Sequence, residues 1–164
     1  MVKKVLKFGG TSVGTIERIQ HVASIIKKEQ LAGNKIIVVV SAMASTTNNL
    51  INLIEQITDD YDLVEYDAIL STGEQISSSL LSLALQQIGI KARSWSGWQV
   101  PIFTNNNFGK ANIEHIEKEN ILMDIKNDII PVINGFQGIN SNKRITTLGR
   151  GGTDTTAVAF AAAF

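Results

Sequence analysis

Two glycine-rich segments near opposite ends of the chain carry the groups best suited to chemistry. One is Lys7-Phe8-Gly9-Gly10-Thr11-Ser12-Val13-Gly14; the other is Leu148-Gly149-Arg150-Gly151-Gly152-Thr153-Asp154-Thr155-Thr156. Each precedes a helical pattern, so free backbone N–H groups and the positive end of a helix dipole are available to an anion. Paired glycines let a phosphate approach the backbone with no side chain in the way. A cation lies in or beside each segment, Lys7 and Arg150. This equipment suits phosphoryl transfer. Neither the G-x-x-x-x-G-K-[ST] loop nor the G-x-G-x-x-G fingerprint is present.

Other residues admit two readings from local pattern. Lys7 reads as a solvated strand-end lysine or, beyond the carboxyl end of a strand, as a phosphate ligand. Ser41, which follows a buried strand, reads from local signal as a helix-entry hydroxyl. Ser71-Thr72-Gly73-Glu74 has the form of a capping box, with Glu74 reaching back to the cap N–H. Asp154 is of N-cap type. Arg150, set between glycines, offers a planar fork to a carboxylate.

The elements that must position these residues alternate between strand and helix patterns. Lys4 to Phe8 reads as a strand. Ile16, Ile19, Val22, Ala23 and Ile26 follow at helical spacing, ended by Gly33-Asn34. Ile36 to Val40 is a β-branched run of buried-strand type. Leu50, Leu53, Ile54 and Ile57 mark a second helix, and Asp59, Asp60 and Asp62 a polar break. Ile76, Leu80, Ala84 and Ile88 run i, i+4 along a third helix, stopped by Gly89. Ala92 to Trp95 predicts a short strand, and Pro101 to Gly109 a long polar loop. Ile116 to Ile125 predicts a fourth helix. Ile129 to Ile133 predicts a strand whose Pro131 favours an edge or strand end. Ile139 to Thr146 reads as a hairpin, and Thr153 onward as an alanine-rich helix. The β–α–β order implies an α/β fold, a mainly parallel sheet sandwiched by helices.

Composition excludes several classes. The chain has 164 residues, fifteen basic and fifteen acidic, two histidines and no cysteine. One domain is expected. Balanced charge leaves no basic footprint for nucleic acid. Without cysteine there is no disulfide framework or thiolate metal site. No apolar run is long enough for a membrane helix, and the N-terminus lacks a signal-peptide core. A cytoplasmic protein without nucleic-acid or membrane partners is expected.

Lys7 to Ser12 resembles the N-terminal signature of aspartate kinases, in the amino-acid kinase family. Val38 to Met43, Ser71 to Gln75, Gly97-Trp98-Gln99, Gly135-Phe136-Gln137-Gly138 and Leu148 to Asp154 resemble further segments of that family, in its order. The resemblance implies ATP with Mg²⁺ held mainly by phosphates, and L-aspartate as substrate. It implies nucleotide contacts from Lys7, Phe8, Gly9, Gly10, Ser41 and Thr153. It implies aspartate contacts from Thr47, Glu74, Arg150, Gly151, Gly152 and Thr153, with Glu74 meeting the α-ammonium. Lys7 and Asp154 take the catalytic roles. Thr153 stands where serine is common and keeps the hydroxyl. Ala44-Ser45 departs from the family's glycine followed by lysine or glycine, and Ser45 carries no charge.

The resemblance makes residues 1–164 the amino-acid-binding part of a longer catalytic domain, as does a sequence that stops within an apolar helix. The nucleotide half and the regulatory ACT domains would lie beyond it. The chain alone is then expected to be inactive. Phe160 and Phe164 are expected to expose an apolar face that favours a homo-oligomer. Another amino-acid kinase, such as a glutamate kinase, and a non-catalytic binding remnant are the alternatives.

Overall fold

The computed structural model describes residues 4–164. Its centre is the strand β2 (Ile36–Val40), whose five β-branched residues are all buried. Alternation along the strand splits them between two cores. Ile36, Val38 and Val40 join one apolar cluster, and Ile37 and Val39 join another on the opposite face. Each such side chain contributes roughly 1.5–3 kcal/mol by burial.

Four parallel strands form this sheet, in the order β1 (Lys4–Phe8), β2, β6 (Ile130–Asn134), β3 (Ala92–Trp95). Helices α1 (Ile16–Leu31) and α4 (Thr72–Gln87) cover one face. Helices α5 (Glu119–Lys126) and α6 (Gly152–Ala163) cover the other. Helix α1 starts where Thr15 accepts a hydrogen bond from the Arg18 N–H, and buries Ile19, Val22, Ala23 and Ile26. It ends before Gly33, at φ +81°. Among the described residues, no helix is long and apolar enough to cross a membrane.

Several elements differ from expectation. Helix α2 (Thr46–Glu55) buries only Ile54, and Ile57 lies exposed beyond it. A helix α3 (Leu63–Leu70) follows the aspartates, with Asp62 capping its start. Its buried residues are Asp67 and Leu70, so no apolar stripe announces it. On α4 the fully buried residues are Gly73, Glu74, Ser77, Ser78, Leu81, Ser82 and Leu85; Leu80, Ala84 and Ile88 pack half-buried against the same core, and Ile76 is exposed. Small residues there let the helix approach backbone, and Ser77 Oγ donates to the Ser41 carbonyl at 2.7 Å.

The polar stretch from Pro101 contains the strand β4 (Ile102–Thr104), and Ile116 closes the strand β5 (Ile113–Ile116), so the helix expected from it begins only at Glu119. With the hairpin β7 (Gln137–Ile139) and β8 (Ile145–Thr147), β4 and β5 make a second four-stranded sheet, β5-β4-β7-β8. Strand β6 is interior, not an edge, and Pro131 is accommodated at the strand end, as its second residue. The Ile130 N–H donates to Lys91 on the β3 side, so the Pro131 nitrogen faces β2, where pairing begins only at Val132. Phe160 is fully buried and stacks on Phe164 with ring centroids 5.7 Å apart, so it offers no exposed face.

Candidate functional site

The carboxyl ends of β1, β2 and β6 are held level. Phe8 pairs with Val40, and Val40 with Asn134. The Ser41 N–H donates to Phe8 O (3.1 Å) and the Gly135 N–H to Val40 O (2.9 Å), so the three exits leave together. They pack almost backbone to backbone. A Cβ on Gly10 would stand 2.9 Å from Ala42 O, and one on Gly73 would stand 2.8 Å from the Ala42 methyl.

In front of these exits opens a cleft of about 1290 Å³. Lys7, Gly10, Ser41, Thr47, Glu74 and residues 150–154 line it. Phe8 and Gly9 lie outside that lining; a Cβ on Gly9 would stand 3.4 Å from the Lys7 ammonium. A smaller hollow of about 170 Å³ lies between Gly33-Asn34-Lys35 and Asp128 at the opposite ends of the strands.

Within the cleft, Lys7 Nζ lies 2.9 Å from Asp154 Oδ1. Asp154 stands in the first turn of α6 and both groups are solvent-accessible, so the pair alone adds little stability. Ser41 Oγ donates to Thr153 Oγ1 at 2.9 Å, tying the β2 exit to that turn. Gly149 and Gly151 both sit at φ +74°, so Arg150 crests a turn of two left-handed residues. Its guanidinium is exposed and enters no ion pair among the described residues.

Glu74 does not form the capping box. Ser71 has helical φ and ψ and makes no side-chain cap bond, because α3 runs almost directly into α4. The Glu74 carboxyl instead turns inward, and its Oε1 accepts from the Ala42 N–H at 3.0 Å. Its Oε2 is buried without a partner. Burial pushes this carboxyl up to about 7, against a smaller lowering by the Ala42 N–H.

The cleft also gathers residues that local pattern does not reveal. Tyr66, Lys110, Asn112 and Phe136 line it. Asp67 is fully buried and accepts from the Gly109 N–H, the Thr147 N–H and the Thr147 hydroxyl. Phe136 holds φ +70°, and its ring occupies the space that a Cβ on Gly152 would need. A glycine-phenylalanine-glutamine-glycine sequence hints at such a turn, but nothing around Asp67 or Lys110 carries a comparable signal. Among the described residues, no group of three or more His, Asp or Glu could hold a metal ion.

Residues 3–164 match the sequence model of the amino acid kinase family. The chain belongs to this family. It is 49% identical over 162 residues to the aspartokinase of Rickettsia bellii (strain RML369-C), covering 97% of this chain and 40% of that relative. It is 51% identical over 159 residues to the Geobacillus stearothermophilus aspartokinase, with 97% and 39% covered. The Synechocystis aspartate kinase superposes with a TM-score of 0.82 at 48% identity, over 97% of this chain and 26% of that one. Escherichia coli aspartokinase III in complex with aspartate and ADP gives 0.84 at 25% identity, over 97% and 46%. The chain thus spans about two-fifths of the length of the curated relatives it matches.

Proposed function

We propose that the cleft serves phosphoryl transfer from ATP to the β-carboxylate of L-aspartate, giving 4-phospho-L-aspartate and ADP, the first step toward lysine, threonine and methionine. Residues 1–164 supply the amino-acid side of that site. The observation that carries this reading is a charge pattern. One cleft holds a buried carboxyl with an unpartnered oxygen, Glu74, and an exposed guanidinium without an ion pair, Arg150. An amino acid with an α-ammonium and carboxylates complements both, and likeness to aspartokinases supports aspartate among such ligands.

The β-carboxylate has an ordinary pKa of about 4, so at pH 7 it is already an ionised nucleophile and needs no general base. Its oxygen forms the new bond to the γ-phosphorus as the bond to the ADP oxygen breaks. Repulsion between two anions is the obstacle. Lys7, held at 2.9 Å by Asp154, and the glycine-rich turn at the start of α6 oppose it with positive charge and backbone N–H groups. Gly10 lines the cleft, and its lack of a side chain lets the β1 exit pack against Ala42 O. Mg²⁺ is carried in mainly by those phosphates.

Titration calorimetry with L-aspartate and L-glutamate tests the reading. Aspartate is expected to bind more tightly than glutamate. Arg150→Lys is expected to weaken aspartate about tenfold or more, because lysine cannot reproduce a bidentate fork. Preference for glutamate would remove aspartate as the substrate, and aspartate affinity indifferent to Arg150 would remove Arg150 from its contacts.

A further inference from the structure

One buried carboxylate is unaccounted for by the roles above. Asp67 lies on α3, outside the glycine-rich segments, and has no exposed surface. No cation pairs with it among the described residues. Its partners are instead donors from two chain segments distant in sequence. Oδ2 accepts from the Gly109 N–H (2.9 Å) and the Thr147 N–H (2.8 Å), and Oδ1 from the Thr147 hydroxyl (2.7 Å).

Those segments meet directly as well. The Ala111 N–H donates to Thr147 O at 2.9 Å. A Cβ on Gly149 would stand 3.0 Å from Gly109 O and 3.6 Å from Lys110 Cγ. Lys110 therefore lies against the turn that raises Arg150. Both residues line the cleft, both are exposed, and neither enters an ion pair among the described residues.

We propose that Asp67 is a positioning residue: its buried carboxylate locks together the backbone leading into Lys110 and the backbone leading toward Arg150. The cleft thereby presents two cations side by side to an anionic substrate. Lys110 becomes the second recognition cation, fitted to a ligand with more than one carboxylate. The energetic logic is that a buried carboxylate needs several donors, and backbone donors from both segments meet that need only when both are in place. The identity of the ligand rests on the aspartate reading; the clamp does not.

Asp67→Asn keeps the clamp. Its amide oxygen can take both backbone N–H groups, and its NH₂ can donate to Thr147 Oγ1, which accepts as readily as it donates. Asp67→Ala removes it. By amide hydrogen exchange on the 164-residue chain, Asp67→Ala is expected to speed exchange tenfold or more at 109–111 and 147–149 together. Asp67→Asn should restore most of that protection. By calorimetry, Asp67→Ala and Lys110→Gln should each weaken L-aspartate about tenfold, while ADP binding moves less than twofold.

Exchange that rises in only one segment, or aspartate affinity unmoved in both variants, overturns the proposal. Should Asp67→Ala fail to fold, Thr147→Val takes its place, since it deletes only the hydroxyl contact; the same joint loosening, smaller in size, is expected. A wild-type chain that binds no aspartate while the exchange pattern holds counts against the substrate and leaves the clamp supported.

Discussion

Glu74 sets two demands against each other. Its carboxyl is pushed from an ordinary 4.5 to about 7 by burial. Between those values the folded protein keeps a proton that the unfolded chain has released. The group therefore costs stability that is absent below about pH 4.5, grows as pH rises and is complete above about 7. A shift of that size corresponds to roughly 3 kcal/mol. Glu74→Gln should then melt about 3–6 °C higher than wild type at pH 8, allowing for an amide left partly unpaired, with no gain near pH 4.5. Equal melting shifts at both pH values would mean that the carboxyl carries no such cost. The same substitution should weaken aspartate if Glu74 meets the ammonium, and wild-type affinity should climb through pH 7 as the carboxyl ionises. Cost in the empty protein and service to a cation are what a binding carboxylate shows.

At the scale of elements, the site depends on how closely α4 approaches the β2 exit. A Cβ on Gly73 would stand 2.8 Å from the Ala42 methyl, which has no rotamer with which to yield. Gly73→Ala should gain about 1 kcal/mol in helix propensity. Overpacking at a rigid contact costs about 1–3 kcal/mol. The clash should win, lowering the melting temperature by several degrees and breaking the 3.0 Å bond between Glu74 and the Ala42 N–H. A variant that melts higher than wild type would show that α4 can shift freely. The elements also explain what was legible in advance. Ile36 to Val40 announced itself because both its faces are apolar cores. Ser71 to Glu74 misled because a capping box presumes a helix start, whereas α3 and α4 are nearly continuous. Helix α3 stayed hidden because its buried residues are Asp67 and Leu70. The glycine segments pointed to the cleft, but the buried Asp67 carboxylate left no pattern, since its partners lie 42 and 80 residues away.

At the scale of the molecule, the chain covers about two-fifths of the aspartokinases it resembles. In the proposed reading it holds the amino acid and the phosphates but not the whole nucleotide. Positioning two reactants accounts for roughly 7–11 kcal/mol of a barrier in favourable cases. Much of the energy for it comes from parts of the substrate remote from the reaction. A nucleotide held by its phosphates alone forfeits that share, and losing about 4 kcal/mol already slows turnover about a thousandfold. The 164-residue chain is therefore expected to bind aspartate yet yield no hydroxylamine-trappable acyl phosphate when ATP, Mg²⁺ and aspartate are supplied. Lys7→Ala in this chain should leave aspartate affinity within about twofold, because Lys7 pairs with Asp154 and, in the proposed reading, serves the phosphates. A dose-dependent acyl phosphate signal from the chain, abolished by Lys7→Ala, would show instead that these residues form a working site without further contacts to the nucleotide.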